Sequence, residues 1–380
     1  MIPRGRLSAA ACVLSISAAF WPAAARAGVC EPDGRQASGA VFRICMPEVW
    51  NGDLVVFAHG YVGFDEPVRI PDEQLILPDG SSIPATVNSL GYAFATTSYS
   101  TNGLAVQPGI EEVVDLVDVF ARAHGAAGQV FLVGPSEGGV VTALTLERHP
   151  DVFTGGIAAC GAIGSFRGQV DYHGDFRVVF DYFFPGLIPG SAVDVPAEVV
   201  DHFFDVYGPR IREAIREDPH GAQQLLAVTG AAVDPSDPST VEQTILDLAW
   251  YAVFATNDAT AKLGGNPFDN RRRRYSGSDD DALLNRSVPR FAADPAVLDE
   301  MRRRYETSGR LASPLVTIHT TGDQVVPYGQ ERVYTLKTVR QGSLLRHVNV
   351  RVRRYGHCNF TEKEVLAAFS ILRLLIASGS

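Results

Sequence analysis

Residues 129–138 read QVFLVGPSEG, and this stretch decides how the surrounding chain folds. Its first six residues form an apolar run with β-branched side chains, which predicts a strand buried on both faces. The next letters match G-x-S-x-G around Ser136, and a helix is predicted over residues 138–149. A serine between a buried strand and a helix predicts an exposed hydroxyl on a sharp turn, with the positive end of the helix dipole beside it.

The same alternation of strand and helix extends in both directions along the chain. Strands are predicted at residues 53–59, 92–98, 155–160, 314–320 and 345–355, and helices at residues 109–124 and 361–377. This rhythm favours an α/β fold with a mostly parallel sheet, flanked by helices and joined by right-handed crossovers. Residues 165–310 interrupt it with aromatic, turn and charged residues, so we predict a mainly helical insertion there.

The chain divides into four predicted parts. Residues 1–27 have a basic start, a short apolar run and the ending Ala25-Arg26-Ala27, which together indicate a secretory signal peptide. We therefore expect export to the periplasm or the extracellular medium. The α/β core is predicted in two pieces, residues 28–164 and 311–380, on either side of a cap or lid at residues 165–310.

Composition and charge exclude several classes of protein. Hydrophobic residues make up 46% and charged residues 20% of 380, which is typical of a globular chain and excludes extensive disorder. The net charge of −10 makes nucleic acid an unfavourable partner. Charged residues interrupt the apolar stretches after residue 27, so no membrane span is predicted in the mature chain. The oligomeric state stays open.

Four cysteines remain after the predicted leader: Cys30, Cys45, Cys160 and Cys358. An even number in an exported chain favours two disulfides, and three pairings are possible. Cys30 and Cys45 lie on either side of a predicted first hairpin, which would leave Cys160 for Cys358. Buried free thiols are the alternative. A zinc site is disfavoured, because the spacings typical of zinc ligands are missing from the sequence.

A serine hydroxyl needs a base to take its proton and a third group to orient that base. After Ser136, Asp323 follows the strand at residues 314–320 and His357 follows the strand at residues 345–355. Active sites of parallel sheets form at this carboxyl edge. We therefore predict Ser136 as nucleophile, His357 as base and Asp323 as the orienting acid. Other histidines, such as His319, fall within strands or in the insertion and are less well placed.

A second donor for an oxyanion is predicted on the loop after the strand at residues 53–59. Residues 59–63 read HGYVG, an H-G-x-x-G pattern at the end of a buried strand. We predict that the backbone N–H groups of Tyr61 and Glu137 form the oxyanion hole.

Together these motifs resemble those of the α/β-hydrolase superfamily, over residues 40–164 and 311–378. The resemblance implies acyl transfer through a serine-bound intermediate, with no metal or organic cofactor. More narrowly, the pair His357-Cys358 is similar to the His-Cys pair of the feruloyl esterase and tannase family, in which a disulfide ties the histidine loop to a cysteine beside the serine. Pro135 precedes Ser136 here, so that pattern is not met, and Cys160 is our candidate for an equivalent brace.

These observations predict an exported serine hydrolase that cleaves a small or oligomeric carboxylic ester. The aromatic-rich cap would shape the substrate pocket, with core packing as the alternative role of its candidates Phe180, Tyr182, Phe183 and Phe184. Rival predictions are a serine peptidase of the prolyl-oligopeptidase type, a polyester depolymerase, and a binding protein that keeps the fold without the chemistry.

Overall fold

The computed structural model describes residues 28–379, so the predicted signal peptide at residues 1–27 lies outside the described residues. Within the described range a sheet of nine strands forms the centre of the molecule. The strands are β1 (Val29–Cys30), β2 (Gly34–Arg35), β3 (Val41–Met46), β4 (Leu54–Phe57), β5 (Ala93–Thr97), β6 (Val130–Pro135), β7 (Gly155–Ala159), β8 (Leu315–Gly322) and β9 (His347–Tyr355).

The strand order is β1-β3-β5-β4-β6-β7-β8-β9, and β2 also pairs with β3. From β5 to β9 neighbouring strands are parallel, whereas β1, β2 and β3 form an antiparallel edge. The central strands are short apolar runs, such as LVVF in β4, and are buried on both faces. The mostly parallel sheet predicted from the sequence is confirmed.

Helices cover both faces of this sheet and fill the segment between β7 and β8. They are α1 (Ile83–Ser89), α2 (Val106–His124), α3 (Glu137–Arg148), α4 (Phe166–Phe183), α5 (Ala197–Asp201), α6 (Gly208–Glu217), α7 (Pro219–Thr229), α8 (Ser239–Phe254), α9 (Thr256–Leu263), α10 (Asp281–Ser287), α11 (Pro295–Arg304), α12 (Gly329–Gln341) and α13 (Glu362–Ala377). None of these described helices is both long and apolar enough to cross a membrane.

Alternate residues of each strand face opposite layers of helices. Val56 packs in a cluster with α2 and α3, whereas its neighbour Val55 packs in a cluster with α13 on the other face. Helix α13 begins with a capping box, in which Thr361 and Glu364 satisfy each other's backbone N–H groups. Helix α2 begins at Val106, before the predicted start at residue 109. Pro108 is tolerated in its first turn, because the N–H that proline lacks would have no partner there.

The insertion between β7 and β8 has an apolar core of its own. Side chains of α4, α6, α7 and α8 form it, including Phe176, Ile211 and Leu248. Helix α11 is different, because Val297 and Met301 pack into the cluster formed by the sheet, α2 and α3. The insertion is therefore a helical layer that is also anchored on the α/β core.

Truncating the core of the insertion tests its contribution to stability. Leu248→Ala removes a side chain that is 0% exposed, so we expect the free energy of unfolding to fall by about 2–5 kcal/mol. The control is Leu345→Ala, at 83% exposure, for which we expect a change within about 0.5 kcal/mol. Urea unfolding followed by circular dichroism measures both. Equal effects of the two substitutions would contradict the packing described here.

Candidate active site

Ser136 lies on the turn between β6 and α3, with a φ of 54° and a ψ of −120°. Non-glycine residues rarely adopt such a positive φ, so the surrounding contacts must hold it. A Cβ on Gly134 would lie 2.2 Å from the carbonyl oxygen of Gly138, and one on Gly138 would lie 2.0 Å from the carbonyl oxygen of Ala58. Only glycine fits at either position, so the G-x-S-x-G spacing is a packing requirement of this turn.

The structure brings Ser136, His357 and Asp323 together. His357 Nε2 lies 2.9 Å from Ser136 Oγ, and His357 Nδ1 lies 2.8 Å from Asp323 Oδ2. The three residues follow β6, β9 and β8, whose carboxyl ends lie at the same edge of the sheet. In this arrangement the serine proton can pass to Nε2 while the carboxylate holds the opposite side of the ring.

Chain order and sheet topology together decide the fold. A serine lies on a strand-to-helix turn, an acid follows a later strand, and a histidine follows the last strand. All three lie at one edge of a mostly parallel sheet. The chain has the α/β-hydrolase fold. In that fold the described segment between β7 and β8 lies over the carboxyl edge, where α4 and α8 contribute side chains beside Ser136.

No protein-family model and no curated protein matches the chain. Solved structures similar to it include an acylaminoacyl peptidase from Pyrococcus horikoshii, with 12% identity and a TM-score of 0.44 over 87% of this chain and 38% of that one. Feruloyl esterase B from Aspergillus oryzae has 13% identity and a TM-score of 0.44, over 86% and 72%. Est1E from Butyrivibrio proteoclasticus has 12% identity and a TM-score of 0.38, over 92% and 99%. The chain thus spans well under half of the peptidase.

Asp323 is buried and surrounded by donors. Its Oδ1 accepts hydrogen bonds from the N–H groups of Val325 at 2.9 Å and Val326 at 2.8 Å. Its Oδ2 faces His357 on one side and His319, at 3.2 Å, on the other. Burial alone would raise the pKa of Asp323, but the two histidines lower it to about 2. The carboxylate is therefore ionised and held in place at neutral pH.

Behind Asp323 lies a second buried pair that the sequence did not identify. His319 Nδ1 lies 3.0 Å from Glu331 Oε1, and Glu331 Oε2 accepts from Thr317 at 2.6 Å and Asn349 at 2.8 Å. Burial lowers the pKa of His319, but the hydrogen bonds to Asp323 and Glu331 outweigh it and raise the pKa to about 10. A histidine inside an apolar strand needs a polar partner. The position of His319 in such a strand was therefore the sequence signal that could have revealed this pair.

The predicted oxyanion donors, Tyr61 and Glu137, belong to the two segments beside Ser136. Glu137 is the first residue of α3, so its N–H has no partner within the helix. A Cβ on Gly60 would lie 3.2 Å from the Cβ of Ser136, so the loop after β4 passes directly beside the serine. Gln74 braces this loop, because it accepts from the Gly60 N–H at 2.7 Å and donates to the Tyr61 carbonyl at 3.1 Å. Sequence reasoning missed Gln74.

Among residues 28–379 there are two disulfides, Cys30–Cys45 and Cys160–Cys358. The second joins the residue after β7 to the residue after His357, and both of its cysteines have a positive φ, as Ser136 does. The sulfur of Cys358 lies 3.4 Å from His357 Nε2. Cys160, His357 and Cys358 are close enough to hold a metal ion, but sulfurs bonded to each other are not thiolate ligands. The bond instead braces the histidine loop.

Two cavities meet at the candidate triad. The inner cavity, of about 120 Å³, contains Ser136 and Glu137, and its apolar lining includes Leu104, Val106, Val140, Phe166, Val170 and Val326. The outer groove, of about 530 Å³, is lined by His357 together with Gln243, Asp247, Trp250, Tyr355 and Asn359. Tyr251 of α8 lines both, so it stands where the two spaces adjoin.

The four aromatic residues predicted for the pocket lie elsewhere. Phe180 and Phe184 are buried in the core of the insertion, and Tyr182 and Phe183 pack against that core. None of these four described residues lines the inner cavity or the outer groove. The prediction that these four aromatic residues line the substrate pocket is therefore corrected: they take the alternative role, core packing. The first half of α4 faces the cavity through Phe166, Gln169, Val170 and His173, whereas the second half, where the aromatics are concentrated, packs against α7 and α8.

The charge on His319 leads to a prediction about how the free energy of unfolding depends on pH. Its folded pKa of about 10 lies above the ordinary 6.5, so its contribution is complete below about pH 6.5 and is lost as the pH rises towards 10. His319→Gln should therefore cost more free energy of unfolding at pH 6 than at pH 9.5, as measured by urea unfolding. His202→Gln, half exposed, is the control and should cost little at either pH. A cost for His319→Gln that does not change with pH would contradict the charged pair.

The disulfide beside His357 makes a second prediction. A digest without reductant should yield a linked peptide that contains Cys160 and Cys358, detected by mass spectrometry. Replacing both with alanine should lower the free energy of unfolding by about 2–4 kcal/mol. The Cys30→Ala/Cys45→Ala variant is the matched control and should cost less, because its bond spans 15 residues rather than 198. Detection of Cys160 as a free thiol would exclude the bond.

Proposed function

We propose that this protein is a serine hydrolase that cleaves carboxylic esters, with Ser136 as nucleophile, His357 as general base and Asp323 as the orienting acid. The observation that carries this proposal is the pair of hydrogen bonds from Ser136 through His357 to Asp323, next to an apolar cavity. A hydroxyl becomes an effective nucleophile only when a base takes its proton. An ionised, buried carboxylate favours the imidazolium that this transfer creates.

The proposed reaction has two halves. Ser136 Oγ attacks the carbonyl carbon while His357 Nε2 takes its proton, and the N–H groups of Tyr61 and Glu137 stabilise the oxyanion. The intermediate collapses, the bond between the carbonyl carbon and the alcohol oxygen breaks, and His357 returns the proton to the leaving alcohol. A water molecule then loses a proton to His357 and attacks the carbonyl carbon of the acyl-enzyme. The bond between that carbon and Ser136 Oγ breaks, His357 returns the proton to Oγ, and the acid is released.

The two cavities favour a particular orientation of the ester. His357 must reach the leaving oxygen, and it lines the outer groove, so the alcohol part belongs there. Ser136 and the two predicted oxyanion donors line the inner cavity, so the acyl part belongs there. Because the inner cavity is much smaller and more apolar than the outer groove, we infer a compact acyl group and a larger alcohol.

We also propose that the enzyme works outside the cytoplasm. Two disulfides lie within the described part of the chain, and such bonds form and persist in oxidising compartments. The predicted signal peptide points the same way.

Hydrolysis of p-nitrophenyl esters tests the nucleophile and the ester preference together. Ser136→Ala should reduce kcat/KM by about 10⁴-fold or more, because triad residues act as a unit. Ser370→Ala, an exposed serine of α13, is the control and should behave as wild type. Acyl chains of increasing length, an aryl ester and matched p-nitroanilides complete the panel. Equal, slow rates in wild type and Ser136→Ala would refute the proposal, and comparable turnover of anilides would favour a peptidase.

A further inference from the structure

A groove on the helical insertion is lined mainly by arginine. Its volume is about 810 Å³, and six of the eleven residues that line it are arginines: the consecutive residues 271–274, Arg286 and Arg290. None of these described residues lines the inner cavity or the outer groove. This arginine groove is therefore separate from the candidate active site, and the proposed reaction does not use it.

The acids that follow the arginines in the sequence do not neutralise them. Three aspartates occupy residues 279–281, and opposite charges this close to residues 271–274 would be expected to pair with them. In the structure each aspartate has another partner. These partners are, in order, His220 at 2.7 Å, the N–H of Leu283 in the first turn of α10, and the N–H groups of Gly277 and Ser278.

Four of the six arginines have no carboxylate partner within the described chain. Arg271 lies 2.5 Å from Asp269. Arg273 lies 2.9 Å from Asp175. The four without such a partner are Arg272, Arg274, Arg286 and Arg290. Asp281 is the one acid among the described residues that line the groove, so four unpaired positive charges against one negative charge leave an excess of three.

One of the unpaired guanidinium groups, that of Arg290, is held in place by neutral partners. It donates to the carbonyl oxygens of Asn270 at 2.9 Å, Arg273 at 2.8 Å and Asn285 at 3.1 Å. It also lies 5.2 Å from the centre of the Tyr275 ring. These contacts fix the side chain without neutralising its charge. A cation that is already fixed loses little conformational entropy when an anion binds to it.

The excess charge narrows the chemistry of the ligand. Like charges in one groove repel each other, and a bound anion removes that repulsion. Guanidinium groups suit phosphate, because they can donate two parallel hydrogen bonds to its oxygens. A phosphate group carries a charge of about −1.5 to −2 at pH 7, so two of them carry about three to four negative charges. Two phosphate groups thus match the excess of three, whereas a carboxylate supplies only one charge.

We propose that the arginine groove binds a ligand with two neighbouring phosphate groups, present either as a free anion or in the headgroup of a lipid. This inference goes beyond the proposed ester hydrolysis and does not depend on it. It gives the helical insertion a binding site of its own, in addition to the walls that α4 and α8 contribute to the inner cavity.

Isothermal titration calorimetry with pyrophosphate and with inorganic phosphate tests the free anion. Wild type should bind pyrophosphate at least about tenfold more tightly than phosphate, because the second group adds charge-assisted hydrogen bonds. The affinity should fall as sodium chloride is added, since salt screens exposed charges. The groove variant Arg272→Gln/Arg274→Gln/Arg286→Gln removes three exposed, unpaired charges and should weaken pyrophosphate binding by about tenfold or more.

The matched control removes three exposed arginines that have no carboxylate partner among the described residues and lie outside the groove. It is the variant Arg122→Gln/Arg332→Gln/Arg340→Gln, whose net charge equals that of the groove variant. It should bind pyrophosphate as wild type does. Because all six side chains are exposed, both variants should also unfold at the wild-type temperature.

A second arm tests the lipid headgroup by cosedimentation with phosphatidylcholine vesicles, prepared with and without cardiolipin, whose headgroup carries two phosphates. Binding of free pyrophosphate that is lost in the groove variant assigns the site to a soluble anion. Binding to cardiolipin vesicles alone, also lost in the groove variant, assigns it to a lipid. The inference is overturned if neither pyrophosphate nor cardiolipin is preferred, or if the groove variant binds as well as the control variant.

Discussion

The close approach of α3 to the loop after β4 is the constraint on which the rest of the structure depends. The backbone at Gly138 lies so near the carbonyl oxygen of Ala58 that a Cβ would meet it at 2.0 Å. This contact holds the turn at Ser136 in its positive-φ conformation. It also places the N-terminus of α3 directly beside the serine. Packing thus sustains the strain in the turn, and the strained residue is the proposed nucleophile.

Behind this turn three buried charges, on Glu331, His319 and Asp323, alternate in sign. Glu331 contacts His319, His319 contacts Asp323, and Asp323 contacts His357, which reaches Ser136. An isolated charge in this interior would be strongly unfavourable, but each group here faces one of opposite charge or a hydrogen-bond donor. The acid of the candidate triad is therefore held by contacts on both sides. Because Asp323 is fixed, its hydrogen bond to Nδ1 also fixes the orientation of the His357 ring.

The helical insertion completes the site from above. Helices α4 and α8 supply walls of the inner cavity, and Tyr251 of α8 lines both this cavity and the outer groove. The loop that carries Tyr61 also contacts the insertion, since the Tyr61 hydroxyl donates to the carbonyl of Phe254 at 3.2 Å. Core and insertion therefore share one candidate site: the core provides the candidate triad, and the insertion contributes to the walls of the space around it.

The sequence by itself determined the alternation of strands and helices, the turn at Ser136 and the order of serine, acid and histidine. These depend on hydrophobic periodicity and glycine sterics within a few neighbouring residues, so they can be recognised locally. The sequence also favoured the observed pairing of the cysteines. Only the tertiary structure paired His319 with Glu331, placed Gln74 against the loop of Gly60, and showed that Phe180 and its neighbours pack inside the insertion. Each of those features joins segments whose meeting depends on how whole elements pack, and no local pattern encodes that.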